Sequence, residues 1–223
     1  MSTYHIRLYK ACDYHTVREI FTIGCFEHTA AAFFHASRLP HNCVALLVGF
    51  LLPLLTTRSL ILSIICVLSV MVLLWFSIRE LISSCVKRAL AEDLKDIDGY
   101  YMRRGSHCFW VAESAGEVVG TVAAVPLEVL GGEKIVELKR MSVASTHRGK
   151  GIAKMLCRTL IDFAQKKRYN AVILSTTSVQ VDAVRLYEKM GFWHVDSSYQ
   201  GSFINWLLGF IWVTYRYDLS TNK

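Results

Sequence analysis

Met141-Ser-Val-Ala-Ser-Thr-His-Arg-Gly-Lys-Gly-Ile-Ala-Lys154 passes from the end of an apolar strand at Val143, through Arg148, Gly149, Gly151 and Ala153, into a strongly periodic helix. An Arg-x-x-Gly-x-Ala turn of this kind presents unpaired backbone N–H groups at a helix N-terminus, where the helix dipole favours anions. Small residues let the backbone close on a bulky polyphosphate, and Arg148 and Lys150 add positive charge. The ligand implied is a pyrophosphate-bearing cofactor. The alternative is a glycine turn with two solvated basic residues, and the flanking sequence decides between them.

Upstream, Ile135 to Val143 reads as the strand that feeds the turn. Alternation places Val136, Leu138, Arg140 and Ser142 on one face, and Ile135, Glu137, Lys139, Met141 and Val143 on the other. Downstream, Ile152, Met155, Leu156, Leu160 and Phe163 form the apolar stripe of a helix. Ala171 to Ser175 is a short buried strand, Gln180 to Met190 a helix ended by Gly191, and Ile211 to Tyr217 a closing strand. Before the turn, His107 to Glu113 and Val118 to Val125 read as strands joined by a tight turn at Ser114-Ala-Gly-Glu117. Pro126 is expected to end the second, and Glu128 to Lys134, with Gly131-Gly132, reads as a mobile loop. Nearer the N-terminus, His5 to Tyr9 is a strand, and Asp13 caps a helix carrying Val17, Ile20 and Phe21 on one face. Glu80 to Arg103 is helical in pattern. The whole is an α/β chain of the α+β, mixed-sheet type, one domain over residues 1–223.

Apolar residues make up 53% of the chain against 19% charged, and the excess is local. Cys43 to Ile78 is almost wholly apolar, interrupted by Pro53, Thr56-Thr57 and Arg58-Ser59. As one helix it would run roughly 54 Å at about 1.5 Å per residue, too long for a hydrocarbon layer of about 30 Å. Pro53 through Ser59 supplies a break, so residues 43–78 read as an inserted membrane hairpin, or a re-entrant segment followed by one span. The alternative, a buried pair of core helices, demands more surrounding protein than this domain has. If the first strand shares a sheet with those after residue 105, a hairpin is required. Arg38, Arg79, Lys87 and Arg88 flank the block against Arg58 at its turn, which leads us to expect the rest of the domain on the cytosolic side.

The net charge of +7 does not point to nucleic acid, because the basic residues are dispersed and no recognition motif accompanies them. A positive surface beside a membrane insert fits anionic lipid and an anionic cofactor. Seven scattered cysteines without a C-x-x-C pair argue against a disulfide framework or a metal site. No leader is expected, since His5 to Phe21 mixes polar and apolar residues.

Three motifs in order carry a resemblance: Trp110-Val-Ala-Glu113 through Gly116-Glu-Val-Val-Gly120; Glu137-Leu-Lys-Arg-Met-Ser-Val143 with Arg148 to Ala153; and Ala183-Val-Arg-Leu-Tyr-Glu-Lys-Met-Gly-Phe192. Together they resemble the Gcn5-related N-acetyltransferases. With the hydrophobic insert, Ile6-Arg-Leu-Tyr-Lys10, Cys108-Phe-Trp-Val-Ala112 and Tyr215-Arg-Tyr-Asp218, the chain is similar over nearly its whole length to the camello-like N-acetyltransferases. That group includes microsomal enzymes that acetylate cysteine S-conjugates, an aspartate N-acetyltransferase, and members implicated in lysine acetylation of endoplasmic reticulum proteins. Thr57-Arg-Ser-Leu60 and Thr176-Thr177 resemble the aspartate enzyme, and the short N-terminus resembles the others. The resemblance implies an acetyl-CoA co-substrate, no metal, and residence in the endoplasmic reticulum membrane.

It also implies roles. Backbone amides near Met141 and Val143 would meet the acetyl carbonyl and pantetheine, and Arg148, Gly149, Lys150, Gly151, Ile152 and Ala153 would hold the pyrophosphate. Tyr187 would be the general acid for the leaving thiolate; the alternative is a core tyrosine beside Phe192. Gln180 stands where many relatives carry a CoA-contacting Asn, and a helix-cap contact is an equal reading. Glu137 would accept the amine proton, or is a carboxylate paired with a nearby Lys or Arg. His107 and His147 are further candidate bases, and Ser142 lacks the His/Asp partners of a nucleophile. The expected partners are a small-molecule amine and membrane lipid. A cysteine S-conjugate leads as acceptor, ahead of aspartate and protein lysine, and a non-catalytic acetyl-CoA-binding module is the non-enzymatic reading.

Overall fold

The computed structural model describes residues 4–128, 132–199 and 203–219. Its centre is a seven-stranded mixed sheet: β1 (Tyr4–Leu8), β2 (Cys108–Ser114), β3 (Glu117–Glu128), β4 (Lys134–Val143), β5 (Ala171–Thr177), β6 (Trp193–Ser198) and β7 (Trp212–Asp218). The order is β1-β2-β3-β4-β5-β7-β6, and only β4 and β5 run parallel. Alternation along β2 sorts the core. Trp110 and Ala112 pack with Val122 and Ala124 under α5 (Ile152–Lys166), while Phe109 and Val111 pack with Ala123, Leu94 and Tyr101 behind the sheet. The β2–β3 turn carries Ala115 and Gly116 at φ 51° and 83°, the left-handed pair that matches strand twist in a two-residue hairpin.

β1 pairs with β2, Tyr4 opposite Ser114 and Leu8 opposite Trp110, so segments before and after the apolar block share one sheet. Between them lie α1 (Tyr14–Phe26), α2 (Thr29–Ser37), α3 (Pro40–Thr57) and α4 (Leu60–Ala91). The last two form a helical hairpin whose two-residue turn is Arg58, left-handed at φ 50°, and Ser59, whose hydroxyl accepts the Leu62 N–H. Both helices are long and apolar enough to cross a membrane. They leave Leu47, Leu52 and Leu55 of α3 and Ile61, Leu68 and Leu73 of α4 exposed. α4 continues beyond the apolar block, and its buried stripe Leu74, Ile78, Ile82, Val86 and Ala89, spaced by four and three, joins the domain core.

Several expectations are corrected. The break expected within Pro53 through Ser59 falls at Arg58-Ser59, but Pro53 itself does not interrupt α3; the helix runs through it, and the Thr56 and Thr57 hydroxyls bond back to the carbonyls of Leu52 and Pro53 at 2.8 and 2.7 Å. Pro126 does not end β3. It pairs with Val136, and β2 reaches only Ala124, so the missing N–H falls where β3 has no second neighbour. Asp13 sits at the start of α1 but does not cap it; its carboxylate takes the Lys10 N–H and the Arg7 guanidinium instead. The helical pattern of Glu80 to Arg103 ends at Ala91, with a separate π-helical turn at Asp98–Met102. Of the loop expected over Glu128 to Lys134, residues 129–131 lie outside the described residues, while Glu128 and Lys134 are paired ends of β3 and β4.

The strict alternation expected along β4 also fails. Lys139 faces Ala123 and Ser142 faces Thr121, so Arg140 and Met141 together oppose Val122: a β-bulge, with Arg140 left-handed at φ 54°. Val136 and Leu138 therefore share the α5 core with Met141 and Val143, whereas Ser142 turns to α1 and donates to the Ile20 carbonyl at 3.2 Å. Glu137 and Met141 end on opposite faces.

Candidate active site

β4 and β5 pair from Ile135–Ala171 to Leu138–Leu174 and no further. Beyond Leu138, β4 runs on to Val143 and β5 to Thr177 with no ladder between them, which opens a cleft at the carboxyl ends of the parallel strands. The Ala144 N–H bonds the Val119 carbonyl at 2.9 Å, so along extended backbone Ser142 also faces β3, and the amides of Met141 and Val143 face the cleft. A second contact fixes the Met141 amide. The Thr121 hydroxyl donates to the Arg140 carbonyl at 2.7 Å on the β3 side, and a trans peptide points the Met141 N–H the other way.

The Arg-Gly-Lys-Gly turn closes the same end. Gly149 and Gly151 are left-handed at φ 74° and 82°, and a Cβ on either would meet nothing within 4 Å, so the turn needs glycine for its backbone and leaves open space outside it. Among the described residues, no protein acceptor takes the N–H groups of Gly149, Lys150, Gly151, Ile152 or Ala153. The Arg148 Nε donates to the Val143 carbonyl at 3.0 Å, and its Nη2 pairs with Glu27 at the end of α1. Lys150 reaches the Thr146 carbonyl at 3.2 Å.

α6 (Val181–Lys189) starts from the end of β5. Tyr187 is buried in the α5 core, edge-on to Phe192 at 5.7 Å, the packing that the core-tyrosine alternative expects. Burial, with Cys157 adding to it, pushes its hydroxyl well above the usual tyrosine range. Gln180 precedes α6 and does not cap it; its Oε1 accepts from the Thr176 hydroxyl at 2.6 Å. Glu137 is partly buried with Lys139 Nζ 3.3 Å away. His147 is half-exposed, edge-on to Tyr4, and His107 packs on Tyr100 near the far end of the sheet.

The structure thus gathers Met141, Val143 and Arg148 to Ala153 at one end of the sheet, with Tyr187 in the adjoining core. A surface depression of about 490 Å³, bordered by Ser106, Lys134, Lys167 and Tyr169, lies at the opposite end of β4 and contains none of them.

Sequence reasoning missed two groups here. Glu27 holds Arg148, and the neighbouring His28 imidazole is pushed below its usual value by burial and by Arg148. Behind the bulge, Asp93 takes Arg140 through Nε at 2.8 Å and Nη2 at 2.5 Å, and also accepts the Tyr101 hydroxyl. The partners lie 47 and 8 residues from Asp93, and no local pattern announces them.

The sequence pattern of the Acetyltransferase (GNAT) family matches residues 75–192. N-acetyltransferase 8 of Rattus norvegicus is 36% identical over 223 residues, 100% of both chains. N-acetyltransferase 8F1 of Mus musculus is 42% identical over 193 residues, 86% of this chain and 87% of that protein. N-acetyltransferase 8B of Homo sapiens is 40% identical over 193 residues, 86% of this chain and 85% of that protein. The fold is also that of a ribosomal-protein-alanine N-acetyltransferase from Brucella melitensis, with a TM-score of 0.57 at 18% identity over 96% of this chain and 99% of the other.

Proposed function

We propose a reaction from one premise: the chain belongs to the GNAT acetyltransferase family, among the N-acetyltransferase 8 relatives. It is an acetyl-CoA-dependent N-acetyltransferase, and acetyl-CoA supplies an acetyl group activated as a thioester. The observation that carries the site reading is the cleft where β4 leaves β5, floored by inward-facing amides and closed by an open glycine turn.

In this reading the amides of Gly149, Gly151, Ile152 and Ala153 bind the pyrophosphate, and Lys150 adds charge. Arg148 contributes once it exchanges Glu27 for phosphate. Gln180, tied to Thr176, borders the pantetheine path. The Met141 and Val143 amides hold the carbonyl oxygen as negative charge develops on it. The acceptor must arrive as a neutral amine, and Glu137 takes its proton directly or through water. Tyr187 keeps its proton at neutral pH and gives it to the departing sulfur; solvent restores it afterwards.

The acceptor we favour is the amine of a cysteine S-conjugate. Lys139 and Arg140 are the cations an acidic acceptor would need, and each already faces a carboxylate, Glu137 and Asp93. That disfavours aspartate. The exposed apolar hairpin supports a domain held at a lipid surface, where apolar S-substituents concentrate. We place the protein in the endoplasmic reticulum membrane with the sheet domain in the cytosol. Protein lysine is the second reading.

The test follows CoA thiol release with S-benzylcysteine. Tyr187→Phe should lower turnover by more than about tenfold with acetyl-CoA affinity nearly unchanged. Unchanged turnover removes the acid role. A fall in Glu137→Gln that higher pH relieves supports the base, and an unaltered profile removes it.

A further inference from the structure

The β4 bulge is held by more side chains than a strand irregularity needs. Arg140 occupies the left-handed region, which L-residues with bulky side chains rarely adopt, and glycine would sit there freely. Its guanidinium is locked by both Asp93 oxygens, which fixes its plane as well as its position. The fully buried Tyr101 takes a further lone pair of Asp93, and Phe21 covers the guanidinium with its ring 5.0 Å from Cζ. On the main chain, the fully buried Thr121 holds the Arg140 carbonyl. Side chain and carbonyl of one residue are therefore both clamped, and between them they set the plane of the peptide that ends in the Met141 N–H.

We propose that Asp93, Tyr101 and Thr121 are positioning residues for acetyl transfer: acting through Arg140, they aim the Met141 amide into the cleft. None of them touches substrate. The proposal rests on the reading that this amide holds the acetyl carbonyl. The pyrophosphate grip lies elsewhere, on the turn before α5, so the clamp governs the chemical step and not cofactor affinity.

Three conservative variants test this in the full chain: Thr121→Val and Tyr101→Phe, each removing one hydroxyl, and Arg140→Gly, which keeps the left-handed backbone without the pin. For each, turnover, CoA affinity, melting temperature and the infrared carbonyl band of bound ¹³C-acetyl-CoA are measured. A single oxyanion donor is worth on the order of 10²–10³ in kcat, so a misaimed one should cost about tenfold or more. We expect that loss with CoA affinity unchanged, and the carbonyl band moving back toward its position in solution. A lower melting temperature with kcat and band intact would make the cluster purely structural and overturn the proposal. So would parallel losses of turnover and CoA affinity. If the unaltered chain binds acetyl-CoA with the band already at its solution position, the carbonyl reading itself fails and the proposal falls with it; Thr121→Val, the mildest change, keeps the two failures apart.

Discussion

Tyr187 and Gly151 show how unevenly single residues speak. The motif singles out Tyr187, two residues before the end of α6, and the structure adds a burial that pushes its hydroxyl well above the usual tyrosine range. Turnover should therefore show no loss from phenol ionisation up to about pH 10, the ordinary tyrosine value, and an earlier alkaline decline in kcat absent from Tyr187→Phe would contradict this. Gly151 was legible as a small residue, and the structure shows its need to be conformational: a Cβ would collide with nothing, but φ is 82°. Gly151→Ala should cost about 1–2 kcal/mol, read as a lower melting temperature and weaker CoA binding. Arg140 was misread. Alternation assigned it to the face of Val136 and Leu138, and no propensity forewarns that an arginine will take a left-handed turn. Only its distant partners explain it.

At the level of elements, β2, β3, β5, β7, α5 and α6 were readable from their apolar periods, whereas the fully exposed β6 carries none, and α4 shows where that reading ends. The hydrophobic block stops near Ile78, yet the helix does not; its first part is apolar and largely exposed, and its second presents a stripe spaced by four and three to the domain. Ile78 is fully buried at the changeover, so Ile78→Ala should destabilise the domain by about 2–5 kcal/mol in denaturant titration of the detergent-solubilised chain. The end of α4 meets the β4 bulge through Asp93. Burial pushes the Asp93 carboxyl up, but the hydrogen bonds and charge of Arg140, with Tyr101, outweigh it and hold the carboxyl below its usual range. A folded pKa depressed in this way stabilises fully above the unfolded value of about 3.9 and is lost as pH falls through the folded one. Asp93→Asn should accordingly flatten the fall in stability below about pH 4, and an acid limb identical to the unaltered chain would contradict the pairing.

For the molecule as a whole, the pairing of β1 with β2 puts both ends of the apolar hairpin on one sheet domain, so the proposed membrane insertion is one that returns to the side it left. α3 has 18 residues, about 27 Å of helix, close to the roughly 30 Å of a hydrocarbon core. Tags at the two chain ends should be cleaved together by protease added to the cytosolic face of intact microsomes, while opposite protection of the ends would refute the hairpin. The short helix Phe203–Leu207, between β6 and β7, was beyond sequence reasoning. His41 stacks on Trp206 at 4.4 Å and Asn42 donates to the Leu207 carbonyl at 3.0 Å, contacts across some 165 residues that seat this helix on the foot of α3. The acceptor is equally a property of the assembled molecule, and it is tested by product analysis. Membrane-embedded protein is given acetyl-CoA with S-benzylcysteine, aspartate and a lysine peptide together, and the acetylated products are identified by mass spectrometry. The account predicts N-acetyl-S-benzylcysteine as the dominant product. Acetyl-aspartate or acetyl-peptide in its place, or CoA binding with no acetylated product, would contradict it.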